Sequence, residues 1–193
     1  MIWDVIAYWM ARTTLFFLIF LLYSNALWAG DERKLGVPIY NPATKSYFEL
    51  FDDNLNPGNW EAAKTRAESK AYKGVRGRLA VVDSAETHRF IIENFRLNWH
   101  EASVWIGLRY WCSLRMLQWV DGRSYSPSDG SHFKAWHTKW SRSDDNACMA
   151  AKSQKSGFAP VYYRNISGTV RWQAVGAAKF FSSYLVEFVT GEE

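Results

Sequence analysis

Helical periodicity in this chain is confined to residues 59–95, and the C-terminal half reads as strands separated by turns. That asymmetry constrains the fold more than any other feature. Two early helices and a late sheet must bury their apolar faces against each other, which predicts an α+β domain. The first helix begins at Asn59, a capping residue, and carries Trp60, Ala63, Ala67 and Ala71 at helical spacing. Gly74 and Gly77 are expected to end it and lead into Leu79-Ala80-Val81-Val82, a short strand of buried type. Asp83-Ser84-Ala85-Glu86 is a capping-box-like start for a second helix bearing Phe90, Ile91 and Phe95. Upstream, apolar residues flank Asn41-Pro42-Ala43-Thr44-Lys45, which predicts a hairpin over residues 38–50. Downstream, strands are expected at Val104–Leu108, Leu117–Val120, Val161–Tyr163, Val170–Trp172 and Tyr184–Phe188, with a polar loop over about residues 123–146.

The 193 residues suit one domain plus an export segment. Residues 1–29 have the order of a secretory signal. Arg12 precedes the apolar run Leu15–Tyr23, and small residues place cleavage after Ala26 or Ala29, with initiation possible at Met10. The run is short for a membrane span of about 20 residues, so a cleaved signal is preferred to an uncleaved anchor, and contact with the membrane is only transient. Residues 30–193 then form the single domain. Its 11 tryptophans supply ample core. The 23 basic and 19 acidic side chains are dispersed, with no basic stripe for a phosphate backbone, which argues against nucleic acid. Cys112 and Cys148 are the only cysteines, and neither they nor the four histidines show metal-ligand spacing. No Gly-x-Ser-x-Gly is present, and the chain is read as a non-enzyme. Asn165-Ile166-Ser167 is a glycosylation sequon that serves equally as a turn between two strands, and the turn reading is preferred.

An ordered set of landmarks resembles the C-type lectin-like domain from about Tyr47 to Phe188. They are Trp60-Glu61-Ala62-Ala63, Gly77–Val82, Ser84-Ala85-Glu86, Trp105-Ile106-Gly107-Leu108, Trp119-Val120-Asp121-Gly122, Phe133 to Trp136, Cys148-Met149, Trp172 and Leu185–Phe188. The Trp-Ile-Gly-Leu element is the strongest single piece. The resemblance implies the C-type lectin-like fold, two helices packed on antiparallel sheets with a long loop region. It places Trp60, Trp105, Leu108, Trp119, Trp136 and Trp172 in the core, and makes the long loop the recognition surface.

Departures from the family pattern bear on function. The family's two usual disulfides are missing: Val186 stands at the last strand's cysteine, the position near Ala177 is not cysteine, and Ala67 or Ala71 replaces the helix half-cystine. Such cysteine-poor versions resemble those of exported microbial proteins. Cys148 matches a family position at the start of a late strand, and Cys112 is its expected partner instead. The resemblance implies that sugar-binding members hold calcium through a Glu-Pro-Asn or Gln-Pro-Asp triplet, a downstream Glu and an Asn-Asp pair after a Trp. The corresponding residues here are Trp140-Ser141-Arg142, Asn146 and Gln173-Ala174. Calcium takes six to eight oxygen ligands, several of them anionic. No cofactor is therefore expected, calcium at the usual site included, and Asp144 and Asp145 read as a solvated loop tip.

The loop keeps Phe133, His137, Lys139, Trp140 and Arg142, side chains suited to stacking and hydrogen bonding. With Asp144, Asp145, Asn146 and Gln173 they form the candidate ligand-binding set. The expected function is a secreted, periplasmic or cell-surface recognition domain. Its ligand is a glycan or a protein surface outside the cytoplasm, and the alternatives are a structural subunit of an extracellular assembly or an enzyme.

Overall fold

The computed structural model describes residues 33–34, 36–98, 103–125, 135–136, 148 and 157–193. The chain divides into two compact units, Met1–Asp31 and Glu32–Glu193. The first, which contains the expected signal segment, lies outside the described residues.

In chain order the elements open with β1 (Arg33–Lys34), β2 (Ile39–Asn41), β3 (Ser46–Asp52) and α1 (Trp60–Ser69). Then come β4 (Ala71–Tyr72), β5 (Val75–Arg76), β6 (Arg78–Leu79), α2 (Ala85–Asn94), β7 (Val104–Trp111), β8 (Met116–Trp119) and β9 (Ser124–Tyr125). Strands β10 (Phe158–Ile166), β11 (Thr169–Ala174) and β12 (Ser183–Phe188) close the chain. The main sheet runs β1-β3-β12-β7-β10-β11, with β2 on β3, β6 on β12, and β8 and β9 continuing from β7. Strand β12 lies antiparallel to β3 and parallel to β7, so the early hairpin and the last strand are tied together at the centre.

Both helix starts arise from local chemistry. The Asn59 side chain accepts a hydrogen bond from the Ala62 N–H (2.9 Å), and Ser84 accepts one from Thr87. The third helical residue at the second cap is thus Thr87 and not a glutamate, so half of the capping box is absent. Helix α1 buries Trp60, Ala63 and Ala67. Ala71 is not on this helix: Lys70 adopts extended backbone, and Ala71 is an exposed residue of β4. Gly74 does not stop the helix either. It sits at φ +77° in the turn of the β4–β5 hairpin, an element that no sequence pattern announced.

The expected strand at Leu79–Val82 is also shorter. Only Arg78–Leu79 pairs with β12, because the chain changes partner at Ala80. The Ala80 N–H donates to Leu185 on β12, and the Ala80 carbonyl accepts from Gly107 on β7 (both 2.9 Å). A Cβ on Gly107 would lie 2.7 Å from the Leu79 carbonyl oxygen and 2.8 Å from Val120. Gly107 therefore permits the close backbone approach that this crossing needs.

Two cores lie on opposite faces of the sheet, as strand alternation requires. Along β7, Trp105 joins α1, Tyr162, Tyr184 and Val186 on one face, while Val104, Ile106 and Leu108 join Ile91, Trp119, Tyr163 and Trp172 on the other. Trp60, Trp105, Trp119, Trp172 and Leu108 are buried, and Trp136 is half-buried against the second core. On the α1 face two indoles interlock: Trp60 Nε1 donates to the Ile106 carbonyl (2.7 Å) and Trp105 Nε1 to that of Gly58 (3.0 Å). Ala67 and Val186 flank Gly77 here. A Cβ on Gly77 would come within 2.6 Å of both the Ala67 carbonyl oxygen and Val186 Cγ1, so the glycine permits this close apolar packing. Buried Glu187 adds a polar anchor, accepting from Arg78 (3.0 Å) and from the Val81 N–H (3.1 Å).

Candidate functional site

The loop expected to carry recognition lies between β9 and Gly157. Of its predicted site residues, Phe133, His137, Lys139, Trp140, Arg142, Asp144, Asp145 and Asn146 lie outside the described residues. Its base is described at Ala135, Trp136 and Cys148, and the sequence explains why each is held.

Trp172 on β11 is the hub. Its N–H donates to the Ala135 carbonyl, and Trp136 bridges Trp172 in parallel register. The Trp136, Trp119 and Tyr125 rings meet Trp172 edge-on, with centroids 5.4, 5.7 and 5.7 Å away. Such edge contacts each add about 0.5–1.5 kcal/mol beyond burial. A hydrogen bond runs between His88 Nδ1 on α2 and the Tyr163 hydroxyl (2.8 Å), while the His88 ring meets Trp172 edge-on. Burial, aided by the nearby Arg171 charge, depresses the His88 imidazole to about 4, so it is neutral at physiological pH. Burial likewise raises the Tyr163 hydroxyl far above its usual range.

Cys112 and Cys148 form a disulfide, with Cα atoms 5.6 Å apart. Cys112 comes directly after β7, and its N–H donates to the Gly157 carbonyl (3.1 Å) just before antiparallel β10. Cys148 itself has helical backbone, and residues 149–156 after it lie outside the described residues. The bridge ties Cys148 to the residue that directly follows β7.

Gln173 is the described member of the predicted binding set. Its Oε1 accepts from Arg164 Nη1 at 2.7 Å and from the Tyr162 hydroxyl at 3.3 Å. Ala174, the other half of this pair, is buried and has no donor atom. A cation here would meet an amide oxygen already taken by a guanidinium, so these two residues do not fit a calcium ion. Among the described residues, no three His, Cys, Asp or Glu side chains converge as metal ligands.

Asn165 is a residue of β10, paired with Val170 next to the β10–β11 turn, where Ser167 and Gly168 take positive φ. Its side chain accepts from the Gly168 N–H (2.9 Å) and donates to the Leu97 and Asn98 carbonyls. Two charged groupings were not anticipated from sequence. Asp121 pairs with Arg123 at 2.8 Å and with Arg78 at 3.5 Å, and Arg123 also reaches Asp83 at 2.7 Å. Arg109 lies among Trp60, Trp111 and Phe158. An Arg-x-Trp alternation directly after the Trp-Ile-Gly-Leu element was the available signal for the second.

The family described as the lectin C-type domain matches residues 56–160, more than half of the chain. Solved structures with the same fold include the C-type lectin CEL-I from Cucumaria echinata, 20% identical, with a TM-score of 0.52 over 74% of this chain and 89% of that one. Human lithostathine is 18% identical, with a TM-score of 0.55 over 83% of this chain and 92% of its own. The Ca2+-independent C-type lectin SPL-2 from Saxidomus purpuratus is 18% identical, with a TM-score of 0.54 over 76% and 88% respectively. No curated protein sequence matches significantly.

Proposed function

We propose, on the premise that this chain belongs to the C-type lectin domain family, that it is an exported, non-enzymatic module that recognises a glycan without the family's usual calcium site. One observation carries the reading: the Gln173 oxygen, at a usual ligand position, is committed to Arg164 at 2.7 Å, beside a buried alanine. The sequence agrees at the remaining positions, where Trp140-Ser141-Arg142 and Asn146 replace acidic ligands. SPL-2, described as Ca2+-independent, has this fold. Without the ion, binding falls to stacking and direct hydrogen bonds. Phe133, His137, Lys139, Trp140 and Arg142 supply these from the loop, with Asp144 and Asp145 as acceptors.

Export is supported by the apolar run before Ser24 and by a disulfide, which persists in oxidising compartments. Among the described residues no helix is long and apolar enough to cross a membrane.

A glycan array run with and without chelator tests the reading. Glycans bound equally in both conditions, and lost by about ten-fold or more in Trp140→Ala, are the expected result. Binding that vanishes with chelator contradicts it. Capture of a protein partner with no glycan bound would shift the ligand to a protein surface.

A further inference from the structure

On the α1 face of the sheet, strand register sets two rows of side chains side by side. Gln118, Arg109 and Pro160 are paired across β8, β7 and β10, and Met116, Trp111 and Phe158 form the next row. Directly paired residues point to the same side, so this is one contiguous patch. Phe158 and Pro160 are its buried floor, and Arg109, Trp111, Gln118 and Met116 are half-buried at its surface.

The cation in this patch is poorly compensated. The Arg109 guanidinium carbon lies 4.4 Å from the Trp111 ring centroid, 5.5 Å from Trp60 and 5.6 Å from Phe158. Among the described residues its one polar partner is Gln118 Oε1, at a long 3.5 Å, and its buried Nε has none. Among those residues no carboxylate reaches it within ion-pair distance, and Glu61, exposed on α1, acts only through space. Burial lowers the guanidinium's affinity for its proton, and the Glu61 charge opposes this in part. Gln118 is nonetheless well placed as a holder: its Oε1 also accepts from Trp111 Nε1 (2.9 Å), and its Nε2 donates to the Gly122 carbonyl (3.1 Å). One side chain thus fixes both the indole and the guanidinium.

A planar, desolvated guanidinium matches a carboxylate in bidentate geometry, and a part-exposed indole matches the C–H face of a sugar ring. We infer that Arg109, Trp111 and Gln118 form a second subsite, apart from the long loop, that takes a carboxylated sugar ring such as a uronic acid. The inference rests on the glycan reading and adds a preference for acidic glycans.

The test tracks the Trp111 indole N–H by NMR in the intact protein, titrated with glucuronate and, separately, glucose. Glucuronate is expected to shift that resonance at a concentration at least about ten-fold below that needed for glucose, the scale of one charge-assisted pair. Arg109→Met, which keeps the apolar stem, should bring glucuronate down to the glucose level, and Arg109→Lys should fall between. Equal binding of the two sugars to the unaltered protein overturns the inference, and this comparison needs no variant to fold. A preference that survives Arg109→Met also overturns it. So does a glutamate-containing peptide that binds as tightly as glucuronate, which would reassign the patch to a protein carboxylate. Array hits on acidic glycans that ignore Arg109→Met would end this inference while leaving the loop reading intact; an array with no hits would end the loop reading.

Discussion

The two faces of the sheet use tryptophan in different ways. On the α1 face, Trp60 and Trp105 donate to the Ile106 and Gly58 carbonyls and clamp backbone segments far apart in sequence. On the α2 face, Trp119, Trp136 and Trp172 meet ring to ring, and Trp172 holds the loop base through its backbone. The first arrangement fixes positions through directional bonds to main chain. The second is a packed set of rings from which a loop departs. It also holds a neutral histidine and the disulfide's nearby anchor, and this makes it the face that solution conditions can disturb.

That contrast can be broken in graded steps. Trp60→Ala removes a fully buried indole and leaves the Ile106 carbonyl without its donor, so a loss of about 3–5 kcal/mol is expected in denaturant unfolding. A loss below about 1 kcal/mol would show that the clamp is dispensable. Next, replacing Cys112 and Cys148 together by serine opens a bridge spanning 36 residues. Chain entropy sets its contribution at about 3–4 kcal/mol. Amide exchange should still rank Val104–Leu108 among the best-protected residues, because the α1-face clamp is untouched. Early exchange there would mean that the two faces are not separable.

The smallest effect is pH-dependent. His88 titrates near 4 when folded and near 6.5 when unfolded, so the unfolded chain binds the extra proton. The stabilisation is therefore complete above about pH 6.5 and fades as pH falls toward 4, by at most about 3 kcal/mol. Carboxylates titrate in the same range, so the informative quantity is the difference from His88→Gln, whose stability should decline less between pH 6.5 and 4. Parallel curves for the two proteins would show that His88 has no part in the acid sensitivity of this face.

What could be read from sequence was mostly local. Asn59 and Ser84 cap helices through residues three positions away, and Asn165 makes its turn bond at the same range. Gly107 was visible only as part of a motif, since the carbonyls that crowd it come from Leu79 and Ala80. Ala71 was misplaced because alanine continues a helical pattern as readily as it ends one. The conformation that ended this helix belongs to Lys70, which no residue-type rule singles out. The Arg109 patch was not legible. Arg109 and Gln118 meet through β7–β8 register, and the polar surroundings of the guanidinium among the described residues are set by tertiary packing. The loop's ligand set was legible only through the family pattern, and of that set the structure describes Gln173 alone.

A calorimetric titration of the oxidised protein with calcium tests the central claim most directly. No saturable heat is predicted at sub-millimolar calcium, because Gln173 is held by Arg164 and acidic ligands are missing from the corresponding positions. A stoichiometric site with sub-millimolar affinity would contradict it.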